Sequence, residues 1–501
     1  MKPTPEQLAV CGARGDRVKV KAFAGAAKTS TQELYARAHP EERILYVAFS
    51  KAVQREAEGR FPANTLCKTT HSLAFPMAVR MFGGRGKNGA QRDVMRKIGD
   101  VRPTEVARTL SVSTPQAYFA LRTLQAWFAT TDLSITEDHI PDDIRAKALD
   151  LQPIAATARE VLKRMNDPEN DIRMPHDAYL KAFCIFGGAQ KAFDTILLDE
   201  AQDTSPVTLH YLLKQSARLI LVGDPHQSIF GFRGAVNAME RVQANETLHL
   251  TRSFRFGSGI ADIANMLLGR LKGESKLLVG AGEPQETRFW VDQSRPFAVL
   301  SRTNAAIFEE AVARRRDPRP FHFVGGVRSL RFDKIEDAHW LWRKQAGKVR
   351  DPYLRSFSSF DELRQLGEDT EDAELRLLAK VVLKHGYKIP ELVAEIEAKH
   401  RDELPEGGFR AFEGIVFGTA HKSKGLEFPQ VILTGDFAPL IDDAGKPIGP
   451  GEIADEDVHL YYVAVTRAKE AIQLPESLSR WIELVRAGQV GQRVSEVEEV
   501  E

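Results

Sequence analysis

One stretch limits the possible folds more than any other. The apolar run Val18–Phe23 ends in Ala24-Gly25-Ala26-Ala27-Lys28-Thr29-Ser30 and continues as helical text. A strand, a small-residue loop and a helix start place several backbone N–H groups at one point, because the first turn of a helix leaves four of them without intrahelical acceptors. Small side chains let an anion approach those groups, and a helix N-terminus favours negative charge. The segment therefore predicts a phosphate cradle in an α/β sheet, lined by Ala24, Gly25, Ala26, Ala27 and Ser30. Lys28 is placed to neutralise the β and γ oxygens of a triphosphate, and the Thr29 hydroxyl to bind Mg²⁺. Such loops usually carry glycine where this chain has Ala22 and Ala27. If the backbone at position 27 is left-handed, alanine there costs roughly 1–2 kcal/mol, about 5–30-fold in an equilibrium. Binding can absorb that strain more readily than turnover can.

The second half of a phosphate site lies in Thr195-Ile196-Leu197-Leu198-Asp199-Glu200-Ala201-Gln202-Asp203, where an apolar strand runs into carboxylates. An isolated Asp-Glu pair reads as a solvated turn. Downstream of a lysine loop, it predicts Asp199 holding Mg²⁺ through water and Glu200 orienting and deprotonating the attacking water. A third strand end, Leu219–Asp224, leads into Pro225-His226-Gln227-Ser228-Ile229-Phe230-Gly231-Phe232-Arg233. Gln227 can sense a γ-phosphate, while Phe230, Phe232 and Arg233 offer aromatic faces and charge beside it. Loop phenylalanines are more often core plugs than base platforms, so this last reading depends on its neighbours.

The rest of the chain follows the same plan. Ile44–Phe49 adds a strand to the first half, and Arg/Ala/Leu-rich helical text fills the span from about Phe75 to Phe186. Strand text returns at Leu248–Leu250, Phe297–Leu300, Phe321–Val324, Ile415–Thr419 and Val431–Thr434, interrupted by a charged helical stretch from about Asp337 to Arg410. Alternating strands and helices imply parallel sheets. Length (501 residues), 43% hydrophobic and 28% charged content describe an ordinary multidomain globular chain. Lys+Arg and Asp+Glu are both 69, so any nucleic-acid site is a local groove. Cys11, Cys67 and Cys184 fit neither a disulfide framework nor a zinc site, and no signal or membrane span is legible. The expected setting is a reducing cytoplasm.

Through these residues the chain resembles the UvrD/Rep type of superfamily 1 helicase, with motifs in family order from Gln7 to Lys469. Thr4-Pro5-Glu6-Gln7 resembles the adenine-reading motif, which puts Gln7 on the base. Ala48-Phe49-Ser50-Lys51-Ala52 and Thr69-Thr70-His71-Ser72-Leu73 resemble the family's first DNA-contacting motifs. Leu250-Thr251-Arg252-Ser253-Phe254-Arg255 is similar to the motif whose arginine reaches the γ-phosphate, and Tyr461-Tyr462-Val463-Ala464-Val465-Thr466-Arg467-Ala468-Lys469 to the last motif. Arg255 and Arg467 are then two arginine fingers. Arg302-Thr303-Asn304 and Val324-Gly325-Gly326 look like the second-lobe signature. Gly418–Phe428 resembles the motif that contacts DNA phosphate and the ATP ribose, the latter through Glu427. A particular likeness to F-box DNA helicases rests on Phe49–Val53, Arg60-Phe61-Pro62, His176–Lys181 and Ser253–Gly257, although no F-box precedes the motor text.

The resemblance implies two RecA-like P-loop lobes with parallel sheets, each carrying a mainly helical insertion. Lobe 1 is expected over 1–80 and 186–245 with insertion 81–185, and lobe 2 over 246–340 and 411–485 with a reduced insertion 341–410, before an acidic tail at 486–501. It implies ATP and Mg²⁺ as cofactors, single-stranded DNA and duplex junctions as partners, and 3′-to-5′ travel coupled to lobe closure. Phe49 and Phe232 are then stacking candidates, and His71, Arg233, Arg302, Asn304, Thr419 and His421 polar or phosphate contacts. Two alternatives stand beside the motor. One is a hydrolysis-impaired DNA clamp, because of Ala27; the other is a helicase–nuclease fusion, disfavoured because no acidic metal cluster follows Lys469.

Overall fold

A computed structural model describes residues 2–84, 93–146, 150–188, 192–231, 234–369 and 373–490. The chain divides into two compact units, Met1–Ala22 with Lys28–Leu250, and Phe23–Ala27 with Thr251–Glu501. In the first unit six strands form a wholly parallel sheet: β1 (Arg17–Ala22), β2 (Ile44–Ala48), β3 (Thr65–Thr69), β4 (Thr195–Leu198), β5 (Arg218–Gly223) and β6 (Glu246–Leu250), in the order β3-β2-β4-β5-β1-β6. Every residue of β2 and β4 is buried, as expected of apolar runs in the middle of a two-sided sheet. The order sets β4, β5 and β1 side by side. Their carboxyl ends, at Leu198, Gly223 and Ala22, therefore meet along one edge although the text separates them widely.

Between β3 and β4 the chain is helical, with long helices at Thr70–Phe82, Thr114–Ala129, Gln152–Asn166 and His176–Phe186. Leu124, Phe128, Val161, Met165 and Tyr179 on these helices share one core with Leu45, Ile196 and Leu219 of the sheet.

The second unit repeats the design. Its two-residue strands β7 (Arg252–Ser253) and β8 (Val279–Gly280) pair with each other. The main sheet contains β9 (Phe297–Ser301), β10 (Phe321–Phe323), β11 (Ile415–Thr419), β12 (Phe428–Leu433) and β13 (Ala468–Gln473), parallel and in the order β10-β11-β9-β12-β13. Helices Phe332–Trp342, Phe360–Asp369, Ala373–His385 and Ile389–Ala398 fill the interval between β10 and β11.

The sequence pattern did not expose β3 or β13. β3 is an edge of the first sheet and β13 the last strand of the second, and both mix buried with accessible positions, including Lys68 and Glu470. One-sided burial leaves no continuous apolar run. Cys11, Cys67 and Cys184 are all free thiols, and burial pushes Cys67 up to about 11 and Cys184 to about 12. Among the described residues no helix is long and apolar enough to cross a membrane.

Candidate functional site

The edge where β1, β4 and β5 end gathers the first unit's chemistry. Lys28 opens the helix Lys28–Ala38, and its Nζ lies 3.1 Å from Glu200 Oε1. Burial disfavours the ammonium, but Glu200, Asp224 and Asp199 together outweigh it and raise the Lys28 pKa. Asp199 is buried and accepts from Tyr46 (2.6 Å), from Gln32 Nε2 (3.0 Å) and from the Glu200 N–H (3.1 Å). Its pKa is raised by that burial first and by neighbouring Glu200 second, against the pull of Tyr46, Lys28 and Gln32. Gln202 ties the strand ends together: its Nε2 donates to Glu200 (2.5 Å), and its Oε1 accepts from the Asp224 N–H (3.1 Å). A Cβ at Gly223 would stand 2.3 Å from that Oε1, which explains the glycine. Gln227 is buried, and its Nε2 donates to Asp224 at 2.8 Å.

Two non-glycine residues of the predicted site have left-handed backbones, Ala27 (φ 56°) and Glu200 (φ 49°). Position 27 thus has the conformation for which glycine is the usual residue. Strain of roughly 1–3 kcal/mol per residue, concentrated at such positions, is characteristic of functional sites. Gln7 is buried at the start of the chain. Thr4 and Gln7 form a reciprocal capping box, and Gln7 Nε2 donates to Thr31 at 3.1 Å. Ser30 accepts from Arg60 at 3.0 Å, which ties the start of the lysine helix to the Arg60-Phe61-Pro62 turn.

The loop Phe23–Ala27 groups with the second unit. The Ala24 N–H donates to Tyr462 Oη at 2.9 Å, and Gly25 O accepts from the Phe254 N–H at 2.9 Å. Gly25 has φ +73°, and a Cβ there would lie 2.4 Å from Ser253 Oγ, so both the backbone and the space demand glycine. Arg255 Nη1 donates to the Thr466 carbonyl (3.1 Å) and Nε to Glu427 (3.3 Å), while Lys469 holds the other Glu427 oxygen at 2.9 Å. Burial opposes ionisation of Glu427, but Lys469 and Arg255 prevail and lower its pKa. Arg467 is only 1% exposed, and it donates to Val463 O (2.8 Å), Leu426 O (3.1 Å) and Thr466 Oγ1 (3.1 Å). The structure therefore brings Arg255, Glu427, Thr466 and Arg467 together, with Arg467 embedded among carbonyls.

The DNA candidates fall into separate groups. Phe49 is 51% exposed and stacks at 6.2 Å and 16° on Phe230, whereas Phe232 and Arg233 lie outside the described residues. His71 pairs with Asp177 at 3.0 Å. In the second unit the Ala420 N–H donates to Ser301 O at 2.8 Å, which joins the ends of the two strands that lead into Arg302 and His421. Thr419 is buried, and its Oγ1 accepts from the Lys422 N–H at 3.3 Å. Arg302 Nη1 pairs with Asp457 at 2.5 Å. Sequence reading missed Tyr46, Gln32, Asp436, Asp457 and the hydroxyl of Tyr462. A tyrosine in an apolar strand next to the acidic one was the only available signal, and it points to Tyr46 alone.

A family model described as the UvrD/REP helicase N-terminal domain matches residues 4–245, and a UvrD-like helicase C-terminal domain matches residues 329–476. The chain belongs to the UvrD/Rep helicase family. UvrD-like helicase domains are RecA-like, and both parallel sheets accord with that. The chain is 31% identical to F-box DNA helicase 1 of Gallus gallus, over 94% of this chain and 48% of the relative. It is also 31% identical to F-box DNA helicase protein 1 of Schizosaccharomyces pombe, over 93% and 56% respectively. DNA helicase II of Escherichia coli is 25% identical over 61% of this chain and 59% of its own length. The chain thus spans about half the length of the F-box relatives.

Proposed function

We propose that this UvrD/Rep-family chain is an ATP-hydrolysing motor that moves 3′ to 5′ on single-stranded DNA and unwinds duplex at junctions. The observation that carries the reading is the Lys28–Glu200 pair at 3.1 Å, beside Asp199 and Asp224 at the ends of adjacent parallel strands. A lysine at a helix start facing a strand-end carboxylate pair is the arrangement that a triphosphate and its metal require.

In this reading lobe 1 comprises 1–80 and 186–245 with insertion 81–185, and lobe 2 comprises 246–340 and 411–485 with insertion 341–410. Thr29 and Asp199 supply hard oxygen ligands suited to Mg²⁺. Gln32 Oε1, buried beside Asp199 without a hydrogen-bond partner among the described residues, leaves an acceptor next to the place where Thr29 and Asp199 would hold the ion. The ion would neutralise charge on the β and γ oxygens. Ala24, Gly25, Ala26, Ala27 and Ser30 line the phosphate loop, Gln7 reads the base, and Glu427 lies toward the ribose. As Lys28 moves to the phosphates, Glu200 is released to orient water and accept its proton. Gln227 senses the γ-phosphate. Arg255 completes the charge on lobe closure, joined by Arg467 once its carbonyl bonds exchange. Phe49 and Phe230 supply a stacking surface, with His71, Arg302, Asn304, Thr419 and His421 on the strand.

Translocation on single-stranded DNA with defined ends tests this. The chain should displace a block at the 5′ end of the strand in the presence of ATP, and Glu200→Gln should bind DNA but lose turnover by about 10²–10⁴-fold. Movement by Glu200→Gln at the unsubstituted rate would remove the basis of the mechanism. The second reading, a hydrolysis-impaired clamp, is favoured by one observation, the left-handed backbone at Ala27.

A further inference from the structure

The second unit contains a helix whose two faces touch the two kinds of candidate site. It is Asp455–Val465, buried at every position from Val458 to Val465. Near its start Asp457 pairs with Arg302 at 2.5 Å, and one turn later Tyr461 donates to Ala438 O at 2.7 Å. Tyr462 Oη accepts the Ala24 N–H at 2.9 Å, and just beyond the helix the Thr466 carbonyl accepts from Arg255 at 3.1 Å. At about 100° per residue, Tyr462 and Thr466 lie some 140–180° around the axis from Asp457. Asp457 and Tyr461 thus face the Arg302 side, and Tyr462 and Thr466 the phosphate loop and Arg255. The distance along the axis from Asp457 to Thr466 is about 14 Å.

Arg302 is fixed from its other side as well. Asp436 accepts from the backbone N–H groups of Arg302 (3.0 Å) and Thr303 (2.8 Å), from Thr303 Oγ1 (2.9 Å) and from Thr434 Oγ1 (2.6 Å). Its carboxylate clamps the turn that starts the helix Asn304–Ala313. Asn304 Oδ1 on that turn is buried without a hydrogen-bond partner among the described residues.

We propose that Asp457 is a positioning residue that couples DNA to ATP hydrolysis, by transmitting the position of Arg302 through the helix Asp455–Val465 to Tyr462 and Arg255. This rests on the motor reading above. A strand that draws on the Arg302 guanidinium loads or releases the Asp457 pair. Because the helix is buried from Val458 to Val465, that length responds as a rigid body, not by local fraying. Burial raises the Asp457 pKa and Arg302 opposes the rise, so a carboxylate left without Arg302 is disfavoured.

The test compares basal and DNA-stimulated ATP turnover, together with single-stranded DNA affinity, in the full chain and in Asp457→Asn. Coupling free energies between sites correspond to about 5–150-fold. The expected result is basal turnover within about twofold, DNA affinity within about threefold, and a stimulation ratio reduced about tenfold. Asp457→Glu, which keeps the charge, should restore most of the stimulation. Asp457→Ser, which also removes the charge, serves if Asp457→Asn fails to fold. Stimulation equal to that of the unsubstituted chain in folded Asp457→Asn, or in Asp457→Ser where the former does not fold, overturns the coupling role. Absence of DNA stimulation in the unsubstituted chain instead overturns the motor reading.

Discussion

Replacing Ala27 by glycine isolates one backbone angle. The native φ of 56° places an L-residue in the left-handed region, at roughly 1–2 kcal/mol for a residue with a Cβ. Glycine removes that penalty but adds roughly 0.5–1 kcal/mol of unfolded-state entropy. The net gain for Ala27→Gly is therefore about 0.5–1 kcal/mol, or about 1–4 °C in the unfolding midpoint of a unit of this size. Ala26 is the internal control. It is buried and is not among the positive-φ residues, so Ala26→Gly pays the entropy with no strain to relieve and must lower the midpoint. Thermal unfolding of the two variants should move in opposite directions. DNA-stimulated ATP turnover, measured alongside, separates the two functional readings: a motor turns over before the change and faster after it, a clamp only after it. A midpoint for Ala27→Gly at or below that of the unsubstituted chain would refute the strain argument, whatever the turnover shows.

The remaining predictions concern space and charge. Gly25→Ala should lower the unfolding midpoint and weaken ATP binding more than tenfold, because its Cβ would stand 2.4 Å from Ser253 Oγ and 2.8 Å from Arg255 Cβ at a φ of +73°. An unchanged ATP affinity measured by titration would show that the loop relocates freely. Lys181 gives a pH signature: burial lowers its pKa to about 8, although it donates to Trp127 O and Thr130 O at 2.8 Å each. The folded value lies below the unfolded one, so its contribution is complete above about pH 10.5 and is lost as pH falls through 8. The stability of the unsubstituted chain relative to Lys181→Met, from urea unfolding, should therefore increase between pH 8 and 10.5. A flat difference would count against a buried, neutral-leaning amine.

Much of the candidate site is readable as text because its chemistry is local. Lys28 and Thr29 follow a strand and small residues, Asp199 and Glu200 end an apolar run, and Gln227 lies just beyond another. What brings them together is not local. Only the order β4-β5-β1 makes Lys28, Glu200 and Asp224 neighbours, and periodicity says which residues face a core without saying which strands lie side by side. The same limit hid Tyr46 and Gln32 on Asp199, and Asp436 and Asp457 around Arg302. It also hid Phe230 as the neighbour of Phe49.

The amino-acid sequence alone determined the parallel α/β plan, the small-residue loop before Lys28 and the ordered motifs of a UvrD/Rep helicase, since each is written in consecutive residue types whose conformational and charge preferences act within a few positions. Tertiary structure decided the rest. It turned the backbone at Ala27 and Glu200 left-handed, seated Arg467 among carbonyls while leaving Arg255 on Glu427, and set one buried helix between Arg302 and the loop at Ala24. These outcomes depend on which distant segments compete for the same space and the same hydrogen bonds, and an alanine, a glutamate or an arginine carries no local mark of that competition.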